Sequence, residues 1–264
     1  MKSIPVLTEK NIVEIERSLD KLSQAKYRQT GLPFVTLKYA QTLDGKIATL
    51  TGDSRWISGS SSLRLAHRMR SSHDVILVGV DTIIRDDPRL TVRLVKGKNP
   101  QKIIVDTQLR TPLDCNLLKG RAASSTIIAT TSLSERRKIK RIQSTGAQVW
   151  LIRKDRSGHV DLRSLLHQLG QRDIRSVLVE GGSKIITSFL HKRLVEHLLI
   201  VIATKIIGKG TNSVGPSAPY LLKNLISFSS IRFFRSGDDV ILEAFINKPK
   251  SFNRKKLLAV SCRE

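Results

Sequence analysis

One ten-residue stretch, VLVEGGSKII at residues 177–186, limits the possible fold more than any other. Three apolar residues end at Glu180, and Gly181 and Gly182 separate them from an apolar-periodic run that begins near Ser183. This pattern predicts a buried strand, a tight turn and the first turns of a helix. A chain that contains such a unit is expected to be an α/β protein.

The same turn also has the chemistry of an anion site. Glycines allow the backbone to adopt positive φ or to approach a ligand closely. The N–H groups and the positive dipole end of a helix that starts near Ser183 favour a phosphate. Glu180 ends the strand and is expected to face the same crevice. A plain structural connection gives the same pattern, so the rest of the chain has to decide between the two interpretations.

The rest of the chain alternates strand and helix patterns, and it ends in two strands without a helix between them, which predicts a hairpin and hence a mixed sheet. Ser132 and Glu135 form a capping-box pattern that predicts the start of a basic helix running to residue 145. No internal repeat interrupts the chain, so one domain is expected. The predicted strands cover residues 33–40, 75–79, 102–105, 126–129, 149–152, 177–179, 197–203, 230–234 and 240–245, and other helices cover 8–28, 63–71 and 161–169.

The two ends of the chain differ from its body. Residues 1–30 contain the helical pattern of 8–28, with Thr8 as the cap, and this extension is expected to pack on the body or on a partner subunit. Residues 248–264 carry six Lys or Arg and one acidic residue, which predicts a basic, mobile tail. The domain itself is expected to span residues 31–247.

Charge is the unusual feature of the composition. The chain has 46 Lys and Arg against 22 Asp and Glu, a formal net charge of +24. Aromatic residues make up only 5%, and no nucleic-acid-binding motif accompanies the charge. The excess therefore predicts, at most, weak and salt-sensitive contact with nucleic acid, and a solubilising basic surface explains it equally well.

Location and metal content follow from what the sequence lacks. No apolar run approaches the ~18 residues of a membrane helix, and the N-terminal residues lack the apolar core of a signal peptide. Two cysteines, Cys115 and Cys262, have no metal-ligand spacing. Asp86 and Asp87 adjoin one another without a third ligand nearby, so a capping or cofactor-contact role is expected. These observations predict a cytoplasmic protein without a membrane segment or a metal site.

Two polar residues of the N-terminal half have two possible roles each. Lys38 lies within the strand predicted at 33–40, where it points either to solvent or into a cleft as a ligand contact. His67 lies on the helix predicted at 63–71. A single histidine there is more often a packed or surface residue than a catalytic one.

Five segments in a fixed order resemble a known family. They read LKYAQTLDGKIA, GDSRWIS, LRLAHRMRSSHDVILVGVDTIIRDDPRLTVR, VLVEGGSKIITSFL and LLIVIATKIIGKG. Together they resemble the reductase domain of riboflavin biosynthesis, and the resemblance covers roughly residues 31–247. It implies a dihydrofolate-reductase-like α/β fold: a central, mixed, mostly parallel sheet with helices on both faces and a C-terminal strand hairpin.

The resemblance also implies an activity. Such a domain binds NADPH in a cleft, is usually a homodimer, and reduces the ribosylamino group of a phosphorylated pyrimidine to a ribitylamino group. The expected substrate is of the 5-amino-6-(5-phosphoribosylamino)uracil type. The alternatives are the non-deaminated diaminopyrimidine, another pterin-like substrate, or a basic nucleic-acid- or partner-binding protein on an inactive reductase fold.

Site residues carry over position by position. The family's reactive region corresponds to Lys38 and Glu180, with Lys38 expected to assist protonation of the imine nitrogen. Positions that contact substrate correspond to Ser54, Arg70, Leu90, Arg93 and Glu180. Positions that contact NADPH correspond to Gln41, Trp56, Thr82, Asp86, Gly181, Gly182 and Ser183, although a small residue is common where this chain has Gln41.

Many members of this family also carry a zinc deaminase. Its His-x-Glu and Cys-x-x-Cys signatures are absent from this sequence. A separate deaminase is therefore expected as the partner enzyme.

Overall fold

A computed structural model describes residues 3–54, 57–132, 134–215 and 225–246. Strands and helices alternate along most of this length, as the apolar patterns predict. The strands are β1 (Phe34–Thr42), β2 (Lys46–Thr49), β3 (Val75–Gly79), β4 (Gln101–Val105), β5 (Thr126–Thr130), β6 (Gln148–Leu151), β7 (Ser176–Val179), β8 (His197–Ala203), β9 (Gly210–Asn212), β10 (Phe228–Ser236) and β11 (Asp239–Ile246). The helices are α1 (Glu9–Thr30), α2 (Ser60–Ser71), α3 (Val80–Asp86), α4 (Arg136–Gln143), α5 (Leu162–Gly170) and α6 (Ser183–His191).

Within the described residues, nine strands form one sheet in the order β10-β11-β8-β1-β7-β3-β4-β5-β6. Every neighbouring pair from β8 to β6 is parallel, whereas β11 runs antiparallel to β8 and β10 antiparallel to β11. The predicted mixed, mostly parallel sheet with a C-terminal hairpin is therefore confirmed. β2 and β9 pair separately in a small antiparallel sheet.

Alternate side chains of the central strands belong to separate hydrophobic cores on the two faces of this sheet. On one face, Leu37 and Val179 pack with Leu165 of α5 and Phe189 of α6. On the other face, Leu178 packs with buried residues of α1 and α2, and α3 and α4 cover the strands nearer β6. Helices thus lie on both faces, as predicted. Parallel strands covered on both sides are apolar almost throughout, which explains the short continuous apolar runs of the sequence.

Helix α1 belongs to this core. Thr8 caps its first turn in a reciprocal capping box with Asn11, and Gly31 ends it with a φ of 65°. Ile15, a residue of this helix, is completely buried against the sheet. The predicted helix is confirmed, and it packs on the body. Although α1 has 22 residues, neither it nor any other helix in the described ranges is long and apolar enough to cross a membrane.

Two local predictions are wrong. The capping box between Ser132 and Glu135 does not form, because α4 begins only at Arg136 and Glu135 itself is the N-cap, without a side-chain bond. Strand β1 does not end at residue 40, since Gln41 and the residue after it continue the parallel pairing with β8. Backbone pairing tolerates polar side chains, so the fall in hydrophobicity at Gln41 does not end the strand. The predicted basic tail, 248–264, lies outside the described residues.

Gly170, the last residue of α5, touches the backbone at the end of α1. A Cβ at this position would lie 1.9 Å from the carbonyl oxygen of Gly31. We expect Gly170→Ala to lower the free energy of unfolding by about 1–3 kcal/mol, because the two backbone segments must move apart. Urea unfolding measures the change. Gly59→Ala is the control, since its Cβ meets its nearest atom, on Asp239, at an ordinary 3.6 Å; equal losses in both variants would contradict the prediction.

Candidate active site

A large cleft lies at the carboxyl ends of the central parallel strands. Its volume is about 1320 Å³, and residues at the ends of β1, β3, β4 and β7 line it. Ligands of open α/β sheets bind at this edge. Pockets for one small ligand usually measure about 300–1,000 Å³, so this cleft has room for more than one molecule.

Lys38, Arg70 and Glu180 form a charged cluster in the cleft. Leu37 of β1 pairs with Val179 of β7, which brings Lys38 level with Glu180 on the neighbouring chain segment. Two nitrogens of the Arg70 guanidinium, on α2, donate to the two oxygens of the Glu180 carboxylate. Nη2 lies 2.8 Å from Oε2, and Nε lies 3.3 Å from Oε1. Such bidentate pairing holds both groups in a defined orientation. Lys38 therefore points into the cleft rather than to solvent.

Burial and mutual attraction set the charges of this cluster. Burial lowers the pKa of the Lys38 ammonium, the Arg70 charge lowers it further, and the Glu180 carboxylate opposes both. Burial alone raises the pKa of Glu180, but the charges of Arg70 and Lys38 outweigh it and hold that pKa below its ordinary value. The cleft thus contains an ionised carboxylate beside a lysine that gives up its proton more readily than usual.

The Gly-Gly turn lines the cleft beside the charged cluster. Gly181 has a φ of 149°, and a Cβ on it would lie 2.9 Å from Cγ2 of Ile185, so this position requires glycine. The N–H of Gly182 donates to Oγ1 of Thr82 at 3.3 Å and joins the start of α6 to α3. The N-cap of α6 is Gly182, which has no side chain to bind the first N–H groups of the helix. The first turn of α6, at Ser183, lines the cleft and suits the pyrophosphate of a dinucleotide.

Most of the residues expected at the site lie together. The cleft lining includes Lys38, Ser54, Arg70, Thr82, Asp86, Leu90, Glu180, Gly181, Gly182 and Ser183. Two others are not part of it: Gln41 lies near the end of β1, and Arg93 is exposed, with its guanidinium on Oγ1 of Thr91 at 2.7 Å. Ligand contacts of Gln41 and Arg93 stay predictions. Trp56 lies outside the described residues.

The cleft also has a part that the sequence reasoning missed. The segment after β4 contributes Asp106, Thr107, Gln108 and Arg110, and the loop before α5 contributes residues 157–160. Asp81 and Lys184 extend the lining beside the Gly-Gly turn. The signal that could have found them is topological, since every parallel strand of a doubly wound sheet ends at the same edge.

Two histidines near the cleft are structural. His67 is 1% exposed, and its Nδ1 accepts the backbone N–H of Arg93 at 2.9 Å. His73 lies between Oγ1 of Thr36, 2.9 Å from its Nε2, and the carbonyl of Met69, 2.7 Å from its Nδ1. Burial lowers the pKa of each to about 4, so both are neutral at physiological pH. The expectation that His67 is a packed residue agrees with this geometry.

Comparison with known proteins identifies the family. The model of the RibD C-terminal domain matches residues 33–240. The chain belongs to the RibD C-terminal domain family. The match includes the residues of the charged cluster and the Gly-Gly turn, and it begins after α1.

Two groups of curated relatives are similar to this member of the RibD family. The riboflavin biosynthesis protein RibD of Actinobacillus pleuropneumoniae is 37% identical over 84% of this chain and 59% of its own length. The chain thus spans little more than half of that relative. A 2,5-diamino-6-ribosylamino-4(3H)-pyrimidinone 5′-phosphate reductase of Methanothermobacter thermautotrophicus is 35% identical over 80% of this chain and 97% of its own length.

Solved structures have the same RibD-type fold. RibD of Acinetobacter baumannii superposes with a TM-score of 0.75 at 24% identity, over 86% of this chain and 62% of that one. The riboflavin biosynthesis reductase Rib7 of Saccharomyces cerevisiae superposes with a TM-score of 0.67 at 25% identity, over 89% of this chain and all of Rib7. These similarities support the α/β architecture that the sequence predicted.

The burial of His73 predicts a pH-dependent stability. Its folded pKa of about 4 lies below the value of 6.5 for an unperturbed histidine, so the unfolded chain binds the proton first as the pH falls. The contribution of the neutral, buried His73 to the free energy of unfolding is fully present above pH 6.5, and it is lost as the pH falls from 6.5 to 4. We expect a loss of about 3 kcal/mol from this group at pH 4.

Urea unfolding at several pH values checks this expectation. His73→Gln keeps a polar side chain but cannot take up the proton, so its stability should vary less with pH than that of the wild type. His167→Gln, at an exposed position of α5, is the control and should retain the wild-type pH dependence. A wild type and a His73→Gln variant with parallel profiles would contradict the assignment.

Proposed function

We propose that this chain is an NADPH-dependent reductase of riboflavin biosynthesis that converts the ribosylamino group of a phosphorylated pyrimidine to a ribitylamino group. The observation that carries the proposal is the pairing of two sites in one cleft. The charged cluster of Lys38, Arg70 and Glu180 lies beside a glycine-rich helix start whose N-cap, Gly182, has no side chain. Membership in the RibD C-terminal domain family and the names of the relatives support it.

Glu180 and Arg70 are proposed to orient the pyrimidine. The Glu180 carboxylate stays ionised, and each of its oxygens has a second lone pair for a ring N–H or amino group after Arg70 has bound. Arg70 also donates to the backbone carbonyl of Thr91 at 3.4 Å, so its guanidinium holds the carboxylate in place. A positioned carboxylate of this kind aligns the reacting carbon of the substrate without taking part in bond making.

Lys38 is proposed to supply the proton. The open-chain form of the substrate has a carbon–nitrogen double bond at the sugar carbon, and its reduction adds a hydride to that carbon and a proton to the nitrogen. NADPH supplies the hydride when it is bound. Lys38 lines the cleft and burial lowers its pKa, so its ammonium form can pass a proton to the nitrogen directly or through water.

The residues at the turn fit the cofactor. A Cβ on Gly182 would meet no atom nearer than Oγ1 of Thr82 at 3.9 Å, so the turn leaves open space there, and the first turn of α6 presents N–H groups to an anion. Thr82 and Asp86 line the same part of the cleft. In this proposal Gly181, Gly182 and Ser183 hold the pyrophosphate. A homodimer and a separate deaminase remain expectations from the family resemblance.

The non-deaminated diaminopyrimidine is the second candidate substrate. The relative named for that reaction is covered over 97% of its own length, whereas the RibD relative named above is covered over 59%. The two substrates differ in one exocyclic group on the ring. Both have the same phosphorylated ribosylamino group, so the same cluster serves either.

The loss of NADPH absorbance with each of the two phosphoribosylamino substrates tests the proposal. We expect turnover with at least one of them, and the ratio of the two kcat/KM values identifies the natural one. Thermal unfolding of the same preparation confirms that the protein is folded. A folded protein without turnover of either substrate would refute the proposed activity.

Replacement of Lys38 tests its role as proton donor. Lys38→Met keeps the length of the side chain and removes the proton, so kcat should fall by about a hundredfold or more. The NADPH dissociation constant, measured by the quenching of protein fluorescence, should change little. The wild-type rate should fall at alkaline pH, below the ordinary lysine pKa of 10.5, because burial favours loss of the proton.

Lys102→Met is the matched control. Lys102 is also a buried strand lysine whose pKa burial lowers, but its ammonium binds Oγ of Ser125 at 2.9 Å and does not line the cleft. This variant should keep the wild-type kcat. An equal fall of kcat in both variants would mean that Lys38 acts only through stability.

A further inference from the structure

Helix α4 carries a row of exposed cations. Its sequence, RRKIKRIQ, contains five Arg or Lys and no acidic residue. At about 100° per residue, four of the cations fall within about 140° of the helix surface, and all four are exposed. Ile142 faces the other way and is completely buried in the core over β5 and β6. We call the four exposed residues, Arg136, Arg137, Lys140 and Arg141, the α4 basic face.

No acidic side chain neutralises the α4 basic face within the described ranges. Exposed cations elsewhere have acidic partners, as Lys184 has Asp81 at 2.8 Å. None of the four residues of the α4 basic face forms an ion pair with a described residue. Residues 116–154 contain nine Lys or Arg and one acidic residue, Glu135. The excess of positive charge is therefore concentrated at this place in the fold.

The α4 basic face also opposes the electrostatics of its own helix. Arg136 and Arg137 occupy the first turn, where the positive end of the helix dipole favours acidic residues, and α4 has none there. Each of these arginines has another cation four residues further on, and like charges at this spacing repel one another. Bound anions would relieve both effects. The arrangement therefore favours a ligand with several closely spaced negative charges.

Two further cations extend this surface. Lys119 and Arg121 are exposed on the short 3-10 helices of residues 116–125, whose apolar residues share a core with α4. This segment leads directly into β5, and α4 runs back from the end of β5 to the start of the parallel strand β6. The segment and the last turn of α4 thus lie at the same end of the sheet. No described residue between 111 and 154 lines the cleft, so this surface is separate from the candidate active site.

The chemistry of the surface indicates its partner. Protein interfaces centre on apolar or aromatic anchors, whereas the α4 basic face consists of cations alone. A helix on a membrane inserts its apolar face, but that of α4 is buried in the core. Trp150 of β6 is a poor platform for unpaired bases, because the Arg172 guanidinium lies 4.4 Å from its ring centroid. The phosphates of a duplex require only cations, and arginine forks fit them.

We infer that the α4 basic face, extended by Lys119 and Arg121, binds the phosphate backbone of a double-stranded nucleic acid without reading its sequence. This binding is a second property of the chain, and it does not rest on the proposed reductase activity. It assigns a location to a contact that the net charge of +24 alone leaves unplaced. The partner is recognised through its closely spaced phosphates, which RNA and DNA duplexes share.

Fluorescence anisotropy with labelled duplexes of about 20 base pairs tests the inference on the whole chain, with RNA and DNA in two unrelated sequences each. We expect the wild type to bind with a dissociation constant of about 1–100 μM at physiological salt, equally for both sequences. Binding to either kind of duplex supports the inference, and the ratio of the two affinities shows which is preferred. Each phosphate contact should contribute about −0.9 to the slope of log affinity against log salt.

The triple variant Arg137→Gln/Lys140→Gln/Arg141→Gln removes most of the α4 basic face. Its affinity for the duplex should fall at least about tenfold, and its salt slope should be smaller by about 3. Thermal unfolding at low salt should show this variant to be at least as stable as the wild type, because the substitutions remove repulsion between like charges. Loss of binding is then not a result of unfolding.

The matched control is Arg17→Gln/Lys21→Gln/Arg28→Gln, which removes the same two arginines and one lysine from exposed positions of α1. It should keep the wild-type affinity and salt slope. Equal losses in the two triple variants, or an α4 variant that binds like the wild type, would overturn the inference. So would polyglutamate or phosphatidylglycerol vesicles that compete as well as unlabelled duplex at equal charge, since the surface would then serve an acidic protein or a membrane. These measurements do not involve turnover, so the proposed activity and this inference can fail independently.

Discussion

The pairing of Arg70 with Glu180 is the interaction on which the site depends. It joins α2 to the end of β7 in the lining of the cleft, and Lys38 on β1 adjoins the same carboxylate. Removing any one member leaves the others with an unbalanced charge in a partly buried place, and such a loss is costly. The cluster is therefore both a structural link between the helix and the sheet and a source of the ionisation states that the proposed reaction needs.

This cluster exists because parallel strands end at one edge. The central strands β1, β7, β3 and β4 bring Lys38, Glu180, the start of α3 and the loop after β4 to a common rim, although these segments lie far apart in the chain. Helices on both faces bury the inner strands, and the charged cluster and the Gly-Gly turn lie toward the carboxyl ends of these strands, where the cleft opens. The position of the cleft follows from the topology, and its chemistry follows from the few residues at the strand ends.

The sequence was most informative where a pattern is local and repeated. Apolar periodicity located most helices and strands, but not α3 or β9, and the Gly-Gly turn located the start of α6 at Ser183. It left two roles open for Lys38, because only the register between strands decides where a side chain points. The capping-box pattern at Ser132 failed because α4 begins only at Arg136, which makes Glu135 the N-cap. Arg110 was missed because its partner, Asp81, lies 29 residues away in sequence.

The unit that folds around one core includes helix α1 and is therefore longer than the part of the chain that matches the family. It precedes the residues that match the family, yet Lys26 near its end forms a buried ion pair with Glu196 at 2.8 Å and binds the carbonyl of Pro33. Glu196 in turn accepts the backbone N–H of Val35 on the central strand. The region that matches the family model is thus shorter than the region that completes one core. A boundary drawn from that match alone would cut through a buried ion pair and uncover one face of the sheet.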